Sequence, residues 1–122
     1  MRHLVILNPA SCRGDTRASV EGIRSALASR GLDHDLVITE RPGHAGEIVE
    51  QRGADFEAVI AVGGDGTVHE ILQPLDLDRH RLGLIATGSG NDWAWATGWP
   101  SDVAACLERI AREEVRHVDV GF

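Results

Sequence analysis

Three short segments hold the residue types that phosphate chemistry needs: Asn8 to Gly14, Gly63 to Thr67 and Gly88 to Asp92. Glycines at 63, 64 and 66 leave no side chain between backbone N–H groups and a ligand, and they are free to take positive φ. Such a turn cradles phosphate oxygens, aided by the N-terminus of a helix that opens near Thr67. Asp65 is the odd member. A carboxylate beside a phosphate is repelled unless a divalent cation or a proton lies between them, so it points to Mg²⁺ or to proton transfer from an attacking hydroxyl. A tight turn with Asp65 as helix cap would use the same residues. The third segment repeats the logic with Gly88, Gly90, the Ser89 hydroxyl and the Asn91-Asp92 pair. In the first, Asn8, Ser11 and Arg13 either face phosphate or form an ordinary turn before a helix.

Each segment follows a short apolar run, the arrangement that puts loops at the carboxyl ends of parallel strands. Leu4–Leu7, Leu36–Ile38, Ala58–Val62 and Leu82–Ala86 read as buried strands, and Val115–Val120 as the start of a fifth. Between them lie helical patterns. Asp15 or Thr16 is placed to cap a helix with Val20, Ile23 and Leu27 on one face, and Gly31 to end it. A short helix around Ala45, Ile48 and Val49 precedes Gly53, and Thr67–Leu72 stops before Pro74. Ser101 is placed to cap a last helix with Val103, Leu107 and Ile110 inward. Strands alternating with helices give an open, mostly parallel α/β sheet with helices on both faces.

With 122 residues and 43% apolar composition, the chain is the size of one soluble domain. All twelve basic residues are Arg. Without Lys, neither a Walker-type phosphate loop nor a pyridoxal Schiff base can be built. The net charge of −7, without a basic cluster, argues against nucleic acid as a partner. Cys12 and Cys106 fit no paired metal spacing, and nothing marks the chain for export, so a reduced cytoplasmic setting is expected. The histidines have no metal-ligand spacing. His69 reads as solvent-facing, and Glu70 as structural or water-bridging in equal measure. Trp93, Trp95 and Trp99 read as core, with one of them free to face a partner surface.

These residues resemble the diacylglycerol kinase catalytic domain family, which includes bacterial lipid kinases and sphingosine and ceramide kinases. Asn8-Pro9-Ala10-Ser11 is similar to the family's opening turn, and Gly63-Gly64-Asp65-Gly66-Thr67 to its nucleotide loop. Gly88-Ser89-Gly90-Asn91-Asp92-Trp93-Ala94 resembles its Gly-Thr-x-Asn-Asp-Phe-Ala segment, and Gly98-Trp99-Pro100 and Val118-Asp119-Val120-Gly121 continue the pattern. The departures are Cys12 for a usual Gly, Ala86 for Pro, Ser89 for Thr, and Trp95 for a basic residue.

The resemblance implies a Rossmann-like domain that binds ATP and Mg²⁺ and transfers a phosphoryl group to a diacylglycerol-like lipid. It implies an ATP site formed by Asn8, Pro9, Ala10, Ser11, Cys12, Thr39, Gly63, Gly64, Asp65, Gly66, Thr67, Val68, His69 and Ser89. Asp65 and Asp92 would be catalytic and would serve the metal. It also implies a second, β-rich domain that supplies the lipid-facing surface, so this chain is expected to be part of a longer enzyme and inactive alone. Peripheral membrane attachment and a homodimer are both compatible with that enzyme. Two rivals share the glycine-aspartate loop: an NAD kinase-like enzyme, and a nucleotide-binding module without turnover.

Overall fold

The computed structural model describes residues 2–11, 19–76, 78–87, 96, 98–100 and 103–112. The elements in order are β1 (His3–Leu7), α1 (Val20–Ser29), β2 (His34–Ile38), α2 (His44–Arg52), β3 (Ala58–Gly63), α3 (Asp65–Leu72), β4 (Arg81–Ala86) and α4 (Val103–Ala111). Short 3-10 turns follow β1 at Pro9–Ser11 and α2 at Gly53–Asp55. The expected strand over 115–120 lies outside the described residues, as do Asp15, Thr16 and Ser101.

The four strands form one parallel sheet in the order β2-β1-β3-β4. Central strands β1 and β3 are buried throughout because both of their faces are covered. Their runs of Leu, Val and Ile carry the core, joined by Ile23 and Leu27 of α1, Ile48 of α2, Ile71 of α3 and Leu107 of α4. Register assigns the faces. Ile60 pairs with Gly83, and a Cβ on Gly83 would lie 3.3 Å from Ile110, so this face is covered by α4. Arg30, the C-cap of α1, bridges to Glu108 of α4 at 2.8 Å, which puts α1 beside it. The alternate face carries α3 and α2, which pack so closely that a Cβ on Gly46 would lie 3.1 Å from the Glu70 carbonyl oxygen.

Ser19 caps α1, its hydroxyl accepting the Gly22 N–H at 3.1 Å, so the first helix begins later than the Asp15 or Thr16 expected from sequence. Gly31 ends it with φ +71°, the left-handed conformation that glycine adopts without cost. Trp99 lies against the core and donates its indole N–H to the Leu84 carbonyl at 2.8 Å, satisfying an acceptor on β4, at one end of the described sheet. Trp93 and Trp95 lie outside the described residues.

Candidate functional site

Strand order reverses direction at β1: the chain crosses from β1 to β2 on one side, then returns to place β3 on the other. Carboxyl ends that adjoin at such a reversal leave a crevice between loops that diverge to opposite faces. Here those ends are Leu7-Asn8 and Gly63-Gly64. The ladder runs one residue past the strands. Thr39 N–H donates to the Leu7 carbonyl at 2.9 Å, Asn8 N–H to Val62 at 3.0 Å and Thr87 N–H to Gly63 at 3.1 Å. These bonds bring Thr39, Asn8, Gly63 and Thr87 into one row across the carboxyl pole.

Asn8 is held at both ends of its amide. Its Oδ1 accepts the Ala10 N–H at 3.1 Å within the 3-10 turn, and its Nδ2 donates to Thr67 Oγ1 at 3.3 Å across the crevice. Because Thr67 accepts there, its own hydroxyl hydrogen is directed elsewhere. Thr67 is in turn seated against Gly63, where a Cβ would fall 2.6 Å from Thr67 Oγ1. Glycine at 63 is therefore required by close approach.

Positive φ was the expectation for the three loop glycines, and the backbone corrects it. The positive-φ glycines among the described residues are Gly31, Gly43 and Gly98. Gly64 is extended, with φ −102° and ψ −163°, and α3 starts directly after it at Asp65 rather than near Thr67. The glycine-rich loop is thus a single-residue hinge between a strand and a helix. No side chain caps α3, so its first-turn amides at Gly66 and Thr67 have no intrahelical acceptor and point out of the pole. A Cβ on Gly66 would meet nothing within 4 Å.

Of the expected ATP-site residues, Asn8, Pro9, Ala10, Ser11, Thr39, Gly63, Gly64, Asp65, Gly66 and Thr67 gather at this pole. Val68 does not present a side chain there; it is fully buried in the core. His69 is exposed one turn along α3, its Nε2 3.4 Å from Gln73 Nε2. Cys12, Ser89 and Asp92 lie outside the described residues.

Two buried atoms stand apart, one on Glu70, which the sequence reads as structural or water-bridging, and one on Thr87, which sequence reasoning did not single out. Thr87 Oγ1 and Glu70 Oε1 are buried and have no hydrogen-bond partner. Buried polar atoms are nearly always paired, so both are exceptions. For Thr87 the sequence signal is a lone polar residue on the step after an apolar strand.

The family model described as the diacylglycerol kinase catalytic domain matches residues 2–122. The diacylglycerol kinase of Staphylococcus haemolyticus (strain JCSC1435) is 30% identical over 120 residues, which are 96% of this chain and 36% of that protein. The diacylglycerol kinase of Bacillus subtilis (strain 168) is also 30% identical, over 98% of this chain and 41% of its own. The crystal structure of a diacylglycerol kinase from Bacillus anthracis str. Sterne superposes with a TM-score of 0.82 at 29% identity, covering 94% of this chain and 41% of that one. The chain thus spans about two-fifths of the length of these relatives.

Proposed function

The chain belongs to the diacylglycerol kinase catalytic domain family, and from that premise we propose that it is the nucleotide-holding part of an ATP-dependent lipid kinase. The enzyme passes the terminal phosphoryl group of ATP to the hydroxyl of a diacylglycerol-like lipid. The observation that carries the reading is the link from Asn8 to Thr67, which closes the β1–β3 crevice beside the uncapped start of α3. Phosphate oxygens take the first-turn amides of α3 as donors, and the Thr67 hydroxyl adds one more. Thr39 and the Pro9–Ser11 turn flank the same crevice, while Val68 and His69 contribute backbone only.

Asp65 stands in the first turn of α3, where its carboxylate meets both the bound phosphates and the attacking hydroxyl. The donor set suits Mg²⁺, a hard cation that binds through one or two carboxylates plus substrate phosphates. Asp65, with Asp92, would hold it together with the nucleotide. Bound there, Mg²⁺ would supply positive charge to offset that of the transferring group. Asp65 accepts the proton of the lipid hydroxyl, and the α3 amides keep the phosphates in place.

The second substrate calls for a lipid-facing surface, which we assign to a β-rich domain outside this chain. No helix among the described residues is long and apolar enough to cross a membrane. A cytoplasmic enzyme that meets the bilayer peripherally fits this arrangement. The test is phosphorylation of diacylglycerol in mixed micelles with ATP and Mg²⁺. The 122-residue chain alone should yield no product, and its fusion to the carboxyl-terminal part of a diacylglycerol kinase should yield phosphorylated lipid. A fusion that binds ATP and phosphorylates NAD instead would replace this reading with the NAD kinase one.

A further inference from the structure

An open surface depression of about 440 Å³ lies beside β2, at the end of the described sheet, lined by Arg24 and Ala28 of α1, His34, Asp35 and Leu36 of β2, and Arg52 of α2. Its β2 residues, His34 to Leu36, precede Thr39, so it lies roughly 10–16 Å down the strand from the carboxyl pole. It is therefore separate from the crevice that holds the phosphates. Its wall residues sit on two helices and a strand.

The charges in this depression do not balance. Its carboxylate, Asp35, is already engaged by Arg52 at 2.8 Å and by Arg2 at 3.5 Å. Arg24 makes no ion pair or hydrogen bond among the described residues. His34 donates its Nδ1–H to the Leu32 carbonyl at 2.9 Å, which leaves Nε2 of the neutral ring as an acceptor. Arg24 is thus the one wall cation left beside a carboxylate that is already neutralised, in a chain whose net charge is −7. Ala28 and Leu36 add an apolar wall.

We propose that this depression binds a phosphate group carried on an apolar body, with Arg24 as the principal anchor. The planar guanidinium matches phosphate oxygens two at a time. The apolar wall takes the adjoining carbon skeleton. Both a glycerophospholipid headgroup and a soluble phosphoester have this chemistry. The inference does not depend on the nucleotide reading, because it uses none of the residues at the carboxyl pole.

The experiment compares the wild-type chain with Arg24→Gln, an exposed position that leaves the core untouched. One arm measures co-flotation with phosphatidylcholine vesicles with and without phosphatidylglycerol; the other titrates glycerol 3-phosphate by calorimetry. The overall negative charge opposes attachment to anionic vesicles, so retention there reports a local site. Binding in either arm that weakens about tenfold or more in Arg24→Gln, at unchanged melting temperature, supports the site, and the arm that responds identifies the source of the phosphate. Absence of binding in both arms, or equal binding by wild type and variant, overturns it.

Discussion

Asn8 Nδ2 donates to Thr67 Oγ1 at 3.3 Å, and this bond joins the end of β1 to the first turn of α3 across the point where strand order reverses. Replacing Asn8 by Asp keeps the shape and the acceptor for the Ala10 N–H but removes the donor and adds a negative charge beside the phosphate position. ATP affinity should fall by more than tenfold while circular dichroism is unchanged, since a like charge within a few ångströms of a phosphate costs more than about 1.4 kcal/mol. Calorimetric titration of the variant checks this, and wild-type affinity would remove Asn8 from the site.

Gly63 and Gly66 should respond in opposite ways to the same added methyl group. In Gly63→Ala the new Cβ falls 2.6 Å from Thr67 Oγ1, and the strain should cost about 1–3 kcal/mol, lowering the melting temperature by several degrees. Combining it with Thr67→Ala should recover part of that loss. Gly66→Ala enters open space inside α3 and should leave stability equal or raise it by up to about 1 kcal/mol, yet weaken ATP binding by crowding the approach to the helix start. Thermal melts with and without ATP separate the two effects.

Much of this was legible in the sequence, for identifiable reasons. Four runs of β-branched and Leu residues gave four strands because central parallel strands are apolar on both faces, and Val59–Val62 leaves little other reading. Pairing between distant segments was not legible: nothing in the residues of β1 alone says that β2 and β3 flank it on opposite sides. The glycine turn was found for a partly mistaken reason. Gly63 is needed for close packing against Thr67 and Gly64 is extended, so steric demand across the crevice, and not left-handed backbone, explains the run. The start of α1 was misplaced because Asp15, Thr16 and Ser19 are all competent caps, and the bond to Gly22 selects Ser19.

Thr87→Val removes a hydroxyl that is buried without a partner and keeps the side-chain shape. Because an unpaired buried hydroxyl costs roughly 1–3 kcal/mol, the variant should melt at the same temperature or higher. A clearly lower melting temperature would mean that the hydroxyl is satisfied by residues outside those described.

In an enzyme carrying both domains, Asp65→Asn should lower kcat at least ~100-fold with little change in melting temperature, as expected where charge placement or proton transfer carries the step. Steady-state assays with diacylglycerol decide it. Near-normal turnover would leave Asp65 as a helix-terminal residue only.

The central claim is that nucleotide phosphates sit at the β1–β3 crevice on the start of α3. Backbone amide NMR of the 122-residue chain, titrated with ATP in the presence of Mg²⁺, reads this directly. Saturable shifts should concentrate at Asn8, Ala10, Thr39 and Gly63 to Thr67 and be absent along Arg52 to Ala58 at the opposite end of the sheet. Saturable binding with shifts confined to any other surface, or no saturable shift at the crevice amides, would contradict the account.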